Sequence, residues 1–149
     1  QELTRVYWEV FTRWNWPFPD AEPTLKELKE RGYKLALITD TDGTPDLKRN
    51  RINQMPIQRF FDVVIVAGED TPRPKPDPEP FLLAATKLGV QPSECVVVGD
   101  KPYTDVRGGK AAGMRTVRVF RREWWDEEEA DYTITSLNQL LNLFPKPLG

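Results

Sequence analysis

Apolar and polar positions along this chain fall into two alternating patterns: short, nearly continuous apolar runs and longer stretches with an apolar residue every third or fourth position. Val6, Tyr7, Val10, Phe11 and Trp14 recur at helical spacing and predict an amphipathic helix over 3–14. Trp16-Pro17-Phe18-Pro19 breaks it. Asp20 or Thr24 is placed to cap a second helix, 22–31, which Gly32 closes. A strand follows at 34–39, then a turn at Asp40-Thr41-Asp42-Gly43 and a polar helix over 45–54. The stretch 60–67 holds a second strand. Five prolines within 71–80 exclude a helix interior or a central strand and predict a stiff loop. Pro80 suits the first turn of a helix over 81–88, closed by Gly89. A third strand (94–98), a helix (105–112) ending at Gly113, and a fourth strand (116–120) come next. An acidic loop with Trp124 and Trp125 leads to a short strand at 132–134 and a helix at 136–143. Strands alternating with helices predict an α/β fold with a doubly wound parallel sheet.

Composition narrows the chemistry. The 149 residues make one ordinary domain, 39% hydrophobic and 30% charged, with a formal net charge of −2. No basic field for nucleic acid or an anionic membrane follows from that balance, and no apolar run is long enough to span a bilayer. A single cysteine, Cys95, cannot form an internal disulfide, and a cytoplasmic location is the expectation. Cys95 falls within an apolar strand and reads as inert. There is no histidine. Ser-His and Cys-His nucleophile chemistry, histidine general bases and histidine metal ligands are thereby excluded within this chain. What remains is carboxylates, lysines, hydroxyls and a metal held by oxygen.

Three strand-end loops gather those groups. After the first predicted strand come Thr39 and Asp40. The proline-rich loop presents Lys75. The run Val96-Val97-Val98-Gly99-Asp100 delivers a carboxylate to a strand tip, and Asp105 follows five residues later. A hydroxyl beside backbone N–H groups holds phosphate oxygens. A lysine offsets charge on a phosphoryl group, and two neighbouring carboxylates suit Mg²⁺. Together they read as phosphoryl-transfer machinery. Each has a plainer reading. Thr39 and Asp105 are the residue types that cap helices, and a lone Lys75 is ordinary surface. Asp100, closing a run of three valines and a glycine, is harder to explain structurally.

From 18 to 144 the chain resembles the haloacid dehalogenase-like (HAD) hydrolases, mostly Mg²⁺-dependent phosphatases with a Rossmann-like core. The segment from Thr24 through Gly32 to Ile38-Thr39 is similar to the helix and strand leading to the family's second motif, a strand-end Ser or Thr. The family usually has Asn next, where this chain has Asp40. Lys75-Pro76-Asp77-Pro78 with Phe81 resembles the lysine loop. Gly99-Asp100 through Asp105, with Gly108-Gly109-Lys110-Ala111-Ala112-Gly113-Met114, resembles the acidic motif. The resemblance implies phosphate binding by Thr39 and Asp40, a catalytic Lys75 that also binds phosphate, a catalytic Asp100, and Mg²⁺ held by Asp100 and Asp105. A small phosphorylated metabolite is the implied substrate class.

The departure lies at the N-terminus. The family's nucleophile sits in an Asp-x-Asp motif after a strand that is central in the sheet, and nothing in 1–20 matches it. Asp40-Thr41-Asp42-Gly43-Thr44 fits locally, with Asp40 as surrogate nucleophile, but the order of motifs favours its reading as the second one. The expectation is therefore a core domain over 17–144, incomplete at its N-terminus, with 1–16 as the remnant of a helical cap and 145–149 as a tail. The nucleophilic Asp would lie upstream, and an N-terminal fragment or a second copy could complete the sheet. The alternatives are a catalytically inactive domain that binds a partner or phosphate and, more weakly, a dehalogenase. Trp8, Trp14 and Trp16 are expected at the cap junction, and Trp124 and Trp125 in a satellite cluster or a partner contact. Residues 127–129 read as a solvated charge run.

Overall fold

The computed structural model describes residues 20–120 and 128–145, and the backbone of residues 5–8. Six parallel strands are ordered β3-β2-β1-β4-β5-β6, with β1 Arg5–Trp8, β2 Lys34–Asp40, β3 Val63–Ala67, β4 Cys95–Gly99, β5 Arg115–Val119 and β6 Tyr132–Ile134. The described helices are α1 Ala21–Glu30, α2 Leu47–Asn53, α3 Glu79–Leu88, α4 Arg107–Ala111 and α5 Leu140–Leu143. The chain lays strands outward from β1 to β3, then returns to place β4 beside β1. That reversal is the topological switch point at which open α/β sheets bind ligands, outside the carboxyl ends of the strands.

Strand alternation divides the core. Leu35, Val96, Val98, Val117 and Val119 face one side, where Ala21, Leu25 and Leu28 of α1 and Leu140 of α5 cover them. Ala36, Ile38, Cys95 and Val97 face the other, beneath Phe81, Ala84, Ala85 and Leu88 of α3. Leu37 meets Ile52 of α2. Both faces are covered, which is why β4 reads as a continuous apolar run and not an alternating one.

One element differs in kind from its sequence reading. Residues 5–8 form a strand where helical spacing predicts a helix. β1 pairs with β2 and β4 simultaneously, Arg5 opposite Lys34 and Cys95, and Trp8 opposite Leu37 and Val98. Arg-Val-Tyr-Trp is rich in β-formers, and a short apolar run is ambiguous by period alone. Pairing decides it: without a strand here, two buried sheet edges would lose their backbone partners. The sheet therefore has no gap at its centre. The rest of the predicted 3–14 helix, with Trp14, Trp16, Trp124 and Trp125, lies outside the described residues.

Smaller corrections follow from side-chain bonding. The Asp20 carboxylate does not cap α1; it accepts from the Ser136 hydroxyl (3.0 Å) and the Leu137 N–H (2.8 Å), joining α1 to the C-terminal segment. Thr24 donates back to the Asp20 carbonyl. The predicted helix over 105–112 begins as a wider π turn, Pro102–Val106, before α4. A 3₁₀ turn, Pro56–Phe60, was not expected. In the tail, the Pro145 carbonyl accepts from the Tyr33 hydroxyl. Glu128 pairs with Lys110 at 3.7 Å.

Candidate active site

The register places the site. Trp8 lies opposite Leu37 and Val98, so Thr39 and Asp100 each stand two residues further along, at equal height on the strands flanking β1. Lys75 and Asp105 arrive from the loops after β3 and β4. All four are buried: Thr39 at 2%, Lys75 at 5%, Asp100 at 8% and Asp105 at 1% exposure. The structure thus brings together residues spread over 67 positions of sequence. For Lys75 and Asp105, the plainer readings as surface lysine and helix cap do not hold.

Asp105 is the hub. Its Oδ1 accepts from Lys75 Nζ at 2.7 Å and its Oδ2 from the Lys101 N–H at 3.2 Å. A Cβ on Gly99 would meet the Asp105 Cβ and Cγ at 2.5 Å, so only glycine lets this side chain tuck against the strand end. The glycine pair of α4 is explained the same way. A Cβ on Gly109 would meet Val97 and Thr116 side-chain atoms at 2.9 Å, and one on Gly108 would meet the Phe81 ring at 2.5 Å. α4 can thereby lie close on the sheet and on the lysine loop.

Asp100 is the strained member electrostatically. Its Oδ1 is buried and has no hydrogen-bond partner among the described residues. Burial pushes its carboxyl above the ordinary range, and the neighbouring Asp105 charge adds to that, against smaller opposing effects that include Lys101 and Lys75. Two carboxylates therefore face one buried ammonium, with a bare oxygen among them. A hard divalent cation that prefers oxygen and retains waters fits that donor set. Among the described residues no cluster of three or more His, Cys, Asp or Glu is placed to hold a metal.

Asp40 lies at the end of β2, and its Oδ1 accepts from the Lys75 N–H at 2.9 Å. It ties the lysine loop to the strand that carries Thr39. The loop after β2 is further tied to the loop after β3, because Glu69 accepts from the Thr41 hydroxyl and, at 3.0 Å, from the Asp46 N–H.

Sequence reasoning passed over Lys48. It is buried, with Nζ 3.5 Å from Thr39 Oγ1 and 3.3 Å from Asp42 Oδ1. The signal was available: Lys48 and Ile52 are four residues apart on α2, so the face that buries Ile52 also turns Lys48 inward. A lysine inside a polar helix carries no mark of its own.

Comparison with known proteins identifies the family and the fold. Residues 3–113 match the family model of the haloacid dehalogenase-like hydrolases. The chain is 40% identical over 112 residues to a glyceraldehyde 3-phosphate phosphatase of Methanopyrus kandleri, covering 75% of this chain and 47% of that protein. It is 42% identical over 104 residues to a phosphoserine phosphatase of Thermus thermophilus, covering 70% and 41%. The crystal structure of a HAD phosphatase from Thermococcus onnurineus superposes with a TM-score of 0.78 at 36% identity, over 87% of this chain and 59% of that one. The chain spans about half the length of the curated relatives it matches. Among the described residues, no helix is long and apolar enough to cross a membrane. Matched over most of its length, and carrying the lysine loop and acidic turn at the carboxyl end of one parallel sheet, the chain belongs to the haloacid dehalogenase-like hydrolases, among phosphatase-type relatives.

Proposed function

We propose that the chain is the core of a Mg²⁺-dependent phosphatase acting on a small phosphorylated metabolite. The observation that carries this reading is the buried Lys75–Asp105 ion pair with a second buried carboxylate, Asp100, whose charge is coupled to Asp105, and with Thr39 level with Asp100 on the other strand flanking β1. Thr39 donates to a phosphate oxygen. Lys75 offsets charge on the phosphoryl group and orients Asp105. Asp40, bonded to the Lys75 backbone, positions that lysine; as an anion it is poorly suited to touch phosphate. Asp100 and Asp105 would hold Mg²⁺, which when bound supplies electrostatic stabilisation of the transferring phosphoryl group. By resemblance the attacking carboxylate follows the central strand, the place that β1 holds here, and so lies outside the described residues; the phosphoryl group passes to it and then to water.

Retention of both Asp100 and Asp105 favours a phosphatase over a dehalogenase, since the dehalogenases of this family need no metal. The second reading, a domain that binds phosphate without turnover, is favoured by the missing Asp-x-Asp alone. Hydrolysis of an aryl phosphate, with and without Mg²⁺, separates the two. The whole protein is expected to turn over with Mg²⁺ and to lose that activity on Asp100→Asn. Turnover that ignores both Mg²⁺ and Asp100 would sink the assignment. Mg²⁺-dependent turnover by this chain alone, with a covalent phosphoryl adduct trapped on Asp40, would instead make Asp40 the nucleophile.

A further inference from the structure

Two lysines are buried among the described residues, Lys75 and Lys48. The phosphatase reading uses the first and leaves the second without a task. Lys48 is the second residue of α2, and its ammonium reaches back to the end of β2. It donates to Thr39 Oγ1 at 3.5 Å and lies 3.3 Å from Asp42 Oδ1. Burial of an ammonium is costly unless partners offset it. Asp42 is a shared partner, because its Oδ2 also accepts from Arg51 at 2.6 Å. Lys48 can therefore leave Asp42 without stranding that carboxylate.

The bond to Thr39 has a direction. A hydroxyl has one proton and two lone pairs. Lys48 donates into a lone pair, which leaves the Thr39 proton to point at an incoming acceptor. A phosphate oxygen about 2.7 Å from that hydroxyl would come within reach of a flexible lysine already at 3.5 Å from the same atom. The same ammonium that orients the hydroxyl is then placed to bind the anion.

We infer that Lys48 is a second anion-binding lysine of this site, which engages the phosphoryl group beside Thr39 and is held by Asp42 when no anion is bound. The inference rests on the phosphate-binding reading of Thr39. It requires an order of preference: a dianionic phosphate displaces Asp42 from Lys48, and Arg51 keeps Asp42 paired.

Binding of inorganic phosphate at saturating Mg²⁺, followed by calorimetry or ³¹P line broadening, tests it in the full chain. Lys48→Met is expected to weaken phosphate binding about tenfold or more, the usual scale for a lost charge-assisted hydrogen bond. Lys48→Arg should restore part of it. Asp42→Asn carries the distinguishing sign. Freed of its competitor, Lys48 should bind phosphate a few-fold tighter, whereas a lysine that only braces α2 would bind no better. Lys75→Met is the control. Phosphate binding that Lys75→Met weakens and Lys48→Met leaves unchanged overturns this inference and spares the phosphatase reading. No phosphate binding by the unaltered chain overturns both. Should Lys48→Met not fold, Lys48→Arg and Asp42→Asn decide, and weaker binding by Asp42→Asn counts against the inference.

Discussion

Two lysine–aspartate pairs flank the strand ends, and they are built differently. Lys75 and Asp105 meet at 2.7 Å with side chains 3% and 1% exposed. Lys48 and Asp42 stand 3.3 Å apart with side chains 11% and 20% exposed. Asp105 is fixed from several directions, by Lys75, by the Lys101 N–H and by contact with Gly99. Asp42 divides itself between Lys48 and Arg51, and Arg51 is 38% exposed. The same residue types thus make a fixed frame on one side and an exchangeable contact on the other. Burial makes the difference. A pair without solvent cannot lose a partner cheaply, while a pair at the margin can trade one cation for another.

The largest test of that contrast removes the buried lysine. Lys75→Met leaves Asp105 buried without its cation, and the expected loss is about 3–5 kcal/mol of folding stability, read from urea unfolding in metal-free buffer. Asp105→Asn in the same background should recover much of it, because the surviving group is no longer a charge. A Lys75→Met protein as stable as the parent would remove the distinction between the pairs. Next in size is Gly99→Ala. Its Cβ would overlap Asp105 at 2.5 Å, and overpacking of this kind costs about 1–3 kcal/mol. It should also weaken Mg²⁺ binding, since Asp105 must move. A neutral result would mean that Asp105 is not wedged.

Asp100 sharpens the picture through pH. In the metal-free protein its carboxyl is raised by burial first and by the Asp105 charge second. A folded-state value above the unfolded one means that the folded state binds the proton more tightly. Stability from this group is then fully present below the unfolded value of about 3.9. It is lost as pH rises through the raised folded value. In EDTA at neutral pH, Asp100→Asn should therefore melt higher than the parent, with a flatter pH profile on the acid side. Mg²⁺ should stabilise the parent, by about 2.7 kcal/mol at a hundredfold excess over Kd, and leave Asp100→Asn nearly unmoved. A variant that melts lower than the parent in EDTA would contradict the electrostatic account of Asp100.

The frame side of the site was the side legible in sequence. Val-Val-Val-Gly-Asp announces a buried strand with a carboxylate at its tip, so Asp100 could be placed from pattern alone; five prolines announce a rigid loop, but Lys75 on it reads alone as surface and gains a role only from the family resemblance. The doubly wound sheet was legible for the same reason, in alternating runs whose lengths suit strands and helices. The exchangeable side was not. Lys48 sits in a polar helix, where its four-residue spacing from Ile52 is the one local sign that it turns inward and says nothing of the strand end it meets. β1 was misread because the three-residue apolar run Val6-Tyr7-Trp8 carries both periods, and only the unpaired edges of β2 and β4 select the strand. Asp20 was legible as a capping type, yet its partners stand at Ser136 and Leu137, beyond the reach of local reasoning.

The smallest expected effect closes the comparison. Lys48→Met removes a cation from a carboxylate that Arg51 still holds at 2.6 Å, so the stability loss should be at most about 1 kcal/mol, as for partly exposed pairs. Methionine keeps an unbranched stem of similar length, so packing changes little. Removing Arg51 as well takes away Asp42's other cation. The double variant Lys48→Met with Arg51→Met should lose more than the sum of the single changes, because each cation covers for the other. Urea unfolding of the parent, the two single variants and the double variant reads that coupling directly. Additive losses would mean that Asp42 is not shared, and Lys48 would then belong with Lys75 as part of the fixed frame.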